Sequence, residues 1–210
     1  MYIDVLGGIF RRFLDKIDAG NLEVNSLKDI NITQAMALIQ AGEILAYPTE
    51  GVYGLGCDPF NQQAFEKLLD AKQRPVEKGV ILIASTVQQV KDLADIFYQP
   101  WTQNVLNSWE SILRPTTWIL PATEAVPDWI TGGRDTVAIR VTHHPQVKAL
   151  CDALDMPLVS TSANLSGQPP IKNRAVCHDT FPDIPILEGC LSGLSEPSQI
   201  WDAQTMARIR

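Results

Sequence analysis

Short apolar runs alternate along the chain with polar and turn-forming residues, and their spacing predicts helices and strands. Apolar residues at positions 35, 36, 38 and 39 follow a helical period, with Thr33 as the expected N-cap and Gly42 as the end of that helix. A second helix, with apolar positions at 64, 65, 68 and 69, is stopped by Pro75. Further helices are predicted over residues 87–96, 101–109 and 145–154.

Apolar runs that are too short for helices predict strands over residues 44–47, 80–83, 115–121, 136–142, 157–160, 184–187 and 198–202. The alternation of helices and strands is typical of an α/β domain. Several neighbouring strands are joined by connections too short for a parallel crossover, so we expect a mixed parallel and antiparallel sheet flanked by helices.

Residues 1–28 form an N-terminal extension to this domain, which we place at residues 29–210. Apolar residues in the extension recur at helical spacing, at Leu6, Ile9, Phe10, Phe13, Leu14 and Ile17. The pattern predicts an amphipathic helix that docks on the domain or on a partner, with a flexible tail as the alternative.

The stretch after strand 44–47 combines glycines with polar and aromatic residues. Gly51, Gly54 and Gly56 are expected to let the backbone take positive φ angles or approach a ligand closely. No Gly-Lys-Ser/Thr follows and the glycines do not open a helix, which excludes a Walker loop and a dinucleotide fingerprint. Strand, glycine loop, helix and strand indicate a crossover unit whose loop holds an anion, although such loops also occur without a ligand.

Other polar residues suggest a binding site. Lys72 and Arg74, at the end of the second helix, either bind phosphate or serve only the helix dipole. The polar loop 160–167 follows a strand, where α/β proteins bind ligands, but its hydroxyl and amide groups also suit a turn. Arg140 lies in an apolar strand and must meet an acidic side chain or an anionic ligand. This set favours charge stabilisation, as in nucleotidyl transfer, over covalent catalysis.

Composition narrows the function further. The 210 residues carry a net charge of −7, which argues against a nonspecific nucleic-acid binder. The four cysteines lack Cys-x-x-Cys spacing, so we expect buried, reduced thiols. The sequence shows no signal peptide and no apolar span, so no membrane association is expected and the predicted location is the cytoplasm.

Six motifs together carry a resemblance to a known family; they occupy residues 47–56, 72–75, 78–83, 137–141, 160–167 and 197–202. In matching order, they resemble the YrdC/TsaC family of threonylcarbamoyl-AMP synthases, in its short bacterial TsaC form. The resemblance implies a single YrdC-like domain whose sheet and helices surround a concave cleft. One departure is the segment 109–117, where the family's glycine-containing turn is replaced by a longer one without glycine.

The resemblance also implies an activity. ATP, L-threonine and bicarbonate or carbon dioxide become L-threonylcarbamoyl-AMP and pyrophosphate, the first step of threonylcarbamoyladenosine modification of tRNA. A transfer complex acts downstream, Mg²⁺ is expected to be held by the substrate, and contact with tRNA or double-stranded RNA is a further expectation. The alternative function is a non-catalytic RNA-binding or ribosome-maturation module of the same fold.

The family's signature assigns roles to particular residues. Its Lys-x-Arg and Ser-x-Asn pairs fall on the expected catalytic residues Lys72, Arg74, Ser162 and Asn164. The expected substrate-binding residues are Thr49, Tyr53, Thr117, Arg140, Ser160 and Ser198. No metal-ligating residue is predicted.

Overall fold

A computed structural model describes residues 29–210, so the predicted docked helix at residues 1–28 lies outside the described residues. The strands are β1 (Asp29–Ile30), β2 (Leu45–Pro48), β3 (Tyr53–Gly56), β4 (Ile81–Ala84), β5 (Thr116–Pro121), β6 (Thr136–Val141), β7 (Leu158–Ser162), β8 (Ile186–Leu187) and β9 (Gln199–Asp202). The helices are α1 (Ile32–Gln40), α2 (Gln62–Lys72), α3 (Thr102–Trp109), α4 (Asp128–Thr131), α5 (Pro145–Leu154) and α6 (Arg174–Thr180).

The strands form one sheet in the order β1-β8-β2-β3-β7-β4-β6-β5-β9. Strand β7 lies between β3 and β4 and is antiparallel to both, whereas β4 and β6 are parallel. The predicted mixed sheet in an α/β domain is therefore confirmed. The crossover unit is also present, but it runs from β3 through α2 to β4, with β7 inserted between the two strands.

Strand alternation gives the sheet two apolar faces. In β4, Leu82 belongs to one buried cluster and Ile83 to the other, as expected for successive residues of a strand. The first cluster includes Phe65 and Leu68 of α2. The second includes residues of α1 and α5, so the central strands are covered on both sides and read as continuous apolar runs.

Some predicted elements were wrong. The chain does not form a helix over residues 87–96: a single 3₁₀ turn at Val87–Gln89 is followed by a turn in which Leu93 N donates to Val90 O. Ala94 then forms an isolated antiparallel β-bridge with Ala122, so this segment lies beside the end of β5 and does not form a helix. The N-cap of α1 is Asn31, which forms a capping box with Gln34, and not Thr33.

The glycine-rich stretch is a β-hairpin formed by β2 and β3. None of Gly51, Gly54 and Gly56 has a positive φ, so that part of the prediction was wrong. The close approach is to the protein itself: a Cβ at Gly56 would lie 2.3 Å from Val159 O and 2.8 Å from the Tyr47 hydroxyl. Gly56 therefore lets the hairpin lie tightly against β7, whereas Gly51 lets it approach Glu196 O, which would lie 2.7 Å from a Cβ there.

Gly56→Ala should cost about 3 kcal/mol of unfolding free energy, because its methyl group meets a main-chain oxygen that cannot move aside. Gly193 is the control, because its φ is +82° and a Cβ there would have no neighbouring atom within 4 Å. Gly193→Ala should cost about 1 kcal/mol, from backbone strain alone. Urea denaturation of both variants tests this, and equal losses would contradict it.

Two expectations from composition can be compared with the structure. Cys57, Cys151 and Cys177 are buried and free, as predicted, but Cys190 is exposed. Burial raises the pKa of the Cys151 thiol to about 12, so this group is inert. Within residues 29–210, no helix combines the length and apolar character that crossing a membrane requires.

Candidate active site

Two adjoining cavities occupy the cleft beside β4, β6 and β7. The first, called the basic cavity, has a volume of about 290 Å³ and is lined by Arg74, Lys78 and Arg134 together with several isoleucines. The second, called the central cavity, has a volume of about 80 Å³ and includes Arg140 in its wall. The two share residues 81 and 161, so ligands in them would be neighbours.

The cations of the basic cavity come from the end of α2 and the turn that follows. Gln73 takes a left-handed conformation that ends the helix and directs the chain into the turn at residues 75–79. Arg74 Nη2 donates to Gly79 O at 2.8 Å, and Lys78 Nζ donates to Ser166 Oγ at 3.1 Å. This cavity therefore offers positive charge beside apolar surface, which suits a nucleotide's phosphates and base.

Lys72 is buried behind the loop that follows β7. Its Nζ donates to Ser162 O and, at 2.7 Å, to Asn164 O. Burial and the neighbouring Arg74 lower the pKa of Lys72 to about 8. The Lys72 ammonium thus holds the main chain of this loop, and Lys72 lines neither cavity.

The predicted Ser-x-Asn pair is brought together by that loop. Ser162 Oγ donates to Asn164 Oδ1 at 2.5 Å, and the Asn164 amide donates to Leu165 O and Gln168 O, each at 2.8 Å. Ser162 lines the central cavity, whereas the Asn164 side chain faces its own loop. Asn164 therefore orients the Ser162 hydroxyl.

Arg140 meets an acidic partner, which was one of its two predicted alternatives. Arg140 Nη1 donates to Glu50 Oε2 at 2.8 Å, and both residues are buried. The other Glu50 oxygen accepts from Thr142 Oγ1 at 2.6 Å. Burial alone would raise the pKa of Glu50, but Arg140 and Thr142 lower it below its ordinary value. Arg140 Nε is buried and has no hydrogen-bond partner among residues 29–210.

Only some of the other predicted substrate-binding residues line one of the two cavities. Thr49 and Ser198 line the central cavity and Ser160 lines the basic cavity. Thr117 is buried beneath them, with its hydroxyl 2.9 Å from that of Ser198. Tyr53 is packed in the core and lines neither cavity. Thr117 is thus placed to orient Ser198, and Tyr53 lies behind the cleft.

Four charged residues of the cleft had no role assigned from the sequence: Glu50, Lys78, Arg134 and Arg210. The buried Arg140 called for an acidic partner, but its spacing did not identify Glu50. Arg210 reaches the central cavity because its segment folds back on β9, where Ile209 N donates to Ile200 O at 2.8 Å. Burial and the nearby Arg140 lower the pKa of Arg210. No local sequence signal indicated this return of the chain.

The donor set of the cleft does not resemble a metal centre. In the described part of the chain, no three His, Cys, Asp or Glu side chains are grouped so that they could hold a metal ion. The cleft carboxylate, Glu50, already uses both oxygens.

Known proteins resemble this chain over most of its length. A threonylcarbamoyl-AMP synthase of Hydrogenovibrio crunogenus is 56% identical over 181 residues, which is 86% of this chain and 97% of that protein. A threonylcarbamoyl-AMP synthase of Vibrio campbellii is 45% identical over 86% of this chain and 98% of its own. The P. abyssi Sua5 structure complexed with L-threonine superimposes with a TM-score of 0.76 at 28% identity, covering 84% of this chain and 54% of Sua5.

The cleft and these relatives define an α/β enzyme of the nucleotidyltransferase kind. The family model for Sua5, YciO and YrdC proteins, described as "Telomere recombination", matches residues 37–210. The chain belongs to this family, which confirms the resemblance predicted from the sequence.

Proposed function

We propose that the chain forms L-threonylcarbamoyl-AMP from ATP, L-threonine and bicarbonate or carbon dioxide, with release of pyrophosphate. One observation carries the proposal: the basic cavity adjoins a small cavity whose wall includes the buried Arg140. A nucleoside triphosphate suits the first cavity and a small carboxylate or carbamate suits the second. The names of the relatives and the threonine complex of P. abyssi Sua5 support this pairing.

In the proposed reaction, the L-threonine amine captures carbon dioxide as a carbamate. A carbamate oxygen attacks the α-phosphorus of ATP, the α–β phosphoanhydride bond breaks, and pyrophosphate leaves. Arg74 and Lys78 offset the charge of the triphosphate, and Arg140 holds an anionic group of the threonine. Such a reaction needs positioning and charge stabilisation, and no covalent intermediate with the protein.

The polar residues have supporting roles in this mechanism. When ATP binds, the Ser162 hydroxyl would turn from Asn164 Oδ1 and donate to a phosphate oxygen, while Lys72 and Asn164 fix the loop that presents it. Thr49 and Ser198 face the threonine side, Ser160 faces the nucleotide side, and Thr117 orients Ser198.

Mg²⁺ would enter with ATP, held by phosphate oxygens and water, since the described cleft residues do not form a carboxylate cage. We derive no step through a protein-bound metal. A separate complex in the cytoplasm would then transfer the threonylcarbamoyl group to the adenosine beside the tRNA anticodon. Direct contact with tRNA or double-stranded RNA stays a prediction.

Pyrophosphate release from ATP tests the proposed function. We expect release only when L-threonine and bicarbonate are both present, because the carbamate is the nucleophile. Arg74→Ala should reduce the rate by about 100-fold, since it removes a charge from the phosphate site. Lys148→Ala, at an exposed ion pair on α5, is the control and should keep full activity.

Pyrophosphate release at the same rate with and without L-threonine would contradict the proposal. Absence of release from the folded protein with Mg²⁺ present would favour the RNA-binding module instead.

A further inference from the structure

The turn at residues 75–79 carries part of the phosphate site but contributes little to the core. Its 3₁₀ segment, Val76–Lys78, has no buried residue, and Pro75 is also exposed. Arg74 and Lys78 nevertheless both line the basic cavity from this turn and its start. Because buried side chains do not hold the turn, other contacts must fix the positions of the two cations.

Arg134 supplies such a contact from the other side of the cavity. Its Nη2 donates to Glu77 O at 2.6 Å, and its Nη1 donates to Thr131 O at 3.0 Å. One guanidinium group therefore joins the turn to the C-terminal end of α4. The guanidinium donates to these two carbonyls through two separate nitrogens of a planar fork; a lysine ammonium would keep the charge without that geometry.

Glycines on both sides let the two segments meet. A Cβ at Gly132 would lie 2.8 Å from Glu77 O, and one at Gly79 would lie 3.0 Å from Thr131 O. Both glycines have positive φ, at +67° and +59°. Val80 N also donates to Ile130 O at 3.1 Å, just beyond the turn. The turn is thus held against α4 by main-chain contacts, with Arg134 as the side chain that bridges them.

We propose that Arg134 is a positioning residue for the nucleotide: its fork fixes the turn so that Arg74 and Lys78 face the same phosphate groups. This inference rests on the proposed function for its substrate, ATP. It goes beyond the family signature, because Arg134 lies outside the Lys-x-Arg and Ser-x-Asn pairs. Arg134 is exposed, so its substitution leaves the core intact.

Two substitutions separate geometry from charge: Arg134→Lys keeps the charge, and Arg134→Gln removes it. We expect both to raise the KM for ATP about tenfold, the effect of one lost charge-assisted hydrogen bond. The kcat and the KM for L-threonine should stay within about threefold of wild type. Arg174→Gln is the matched control, because Arg174 also donates to two carbonyls, of Ile186 and Leu187, and lines neither cavity.

Steady-state kinetics and calorimetric binding of a non-hydrolysable ATP analogue would be measured for all four proteins. If Arg134→Lys behaves like wild type while Arg134→Gln does not, only charge matters and the positioning role is wrong. Unchanged affinity in both variants, or equal losses for both substrates, would also overturn it. If wild type shows no turnover, the proposed function fails, but the binding data still decide the role of Arg134.

Discussion

Arg140→Met is expected to lower the unfolding free energy by about 3–5 kcal/mol, because it leaves the Glu50 carboxylate buried without its counter-ion. The same substitution should reduce pyrophosphate release by at least about 100-fold, since it removes the proposed anchor for the threonine anion. Urea denaturation at pH 7 and the pyrophosphate assay measure the two effects separately.

Combining Arg140→Met with Glu50→Gln shows whether the loss of unfolding free energy comes from the unpaired Glu50 carboxylate. Added to Arg140→Met, Glu50→Gln should recover much of the stability by removing the unpaired charge, but none of the activity. Lowering the pH should also reduce the difference in unfolding free energy between wild type and Arg140→Met. In wild type the pKa of Glu50 is depressed from 4.5, so its contribution is present above that value and is lost as the pH falls. In the variant the carboxyl is protonated more readily.

An exposed ion pair serves as the control for the stability cost of breaking the buried pair. Lys67→Met breaks the pair with Glu43 at the surface and should cost less than about 1 kcal/mol. If Arg140→Met costs no more than this, the buried pair does not contribute as proposed.

Lys72→Met should reduce the rate of pyrophosphate release by about 100-fold, as expected when a loop that positions a substrate-binding group is released. The buried ammonium holds two carbonyls of the loop that carries Ser162, and a methionine cannot replace these hydrogen bonds. Lys67→Met, at an exposed position of the same helix, is the matched control and should retain activity.

The pKa of Lys72 makes this prediction sensitive to pH. Burial lowers it from 10.5 to about 8, so wild-type activity should fall as the pH rises above 8 and the ammonium loses its proton. Stability should move in the opposite direction. Between pH 8 and 10.5 the unfolded chain binds more protons at this position than the folded protein, so folding is favoured as the pH rises.

A pH–rate profile and thermal unfolding over the same range test both statements. The alkaline decline should be absent from the residual activity of Lys72→Met. Parallel loss of activity and stability in wild type would show instead that the protein simply unfolds.

The sequence predicted the parts of the fold and site that depend on local pattern. Apolar periodicity was sufficient for α2 and α5, and an arginine within an apolar strand correctly indicated a buried charge at Arg140. The helix over residues 87–96 was wrong because tertiary pairing of Ala94 with Ala122 prevailed over a helical pattern. The glycine loop was wrong because glycine serves close packing as well as positive φ.

Contacts between distant segments could not be predicted in this way. Arg134 and Glu77 are separated by 57 positions, and Glu50 and Arg140 by 90. The hydrogen bond between Arg134 and Glu77 follows from the strand order, which places β6 beside β4, and neither bond follows from spacing along the chain. The same holds for Arg210, whose return along β9 has no local sequence signal.

The insertion of β7 between β3 and β4 has a consequence for how the protein folds. Each of these two strands keeps one edge unpaired until residues 158–162 have been synthesised. Lys72 and the carbonyl of Ser162 are also 90 positions apart, so the cleft is completed only after a large loop has closed. Contacts of such long range slow folding and leave strand edges open to aggregation on the ribosome. Nascent chains that end before β7 therefore expose one unpaired edge of β3 and one of β4.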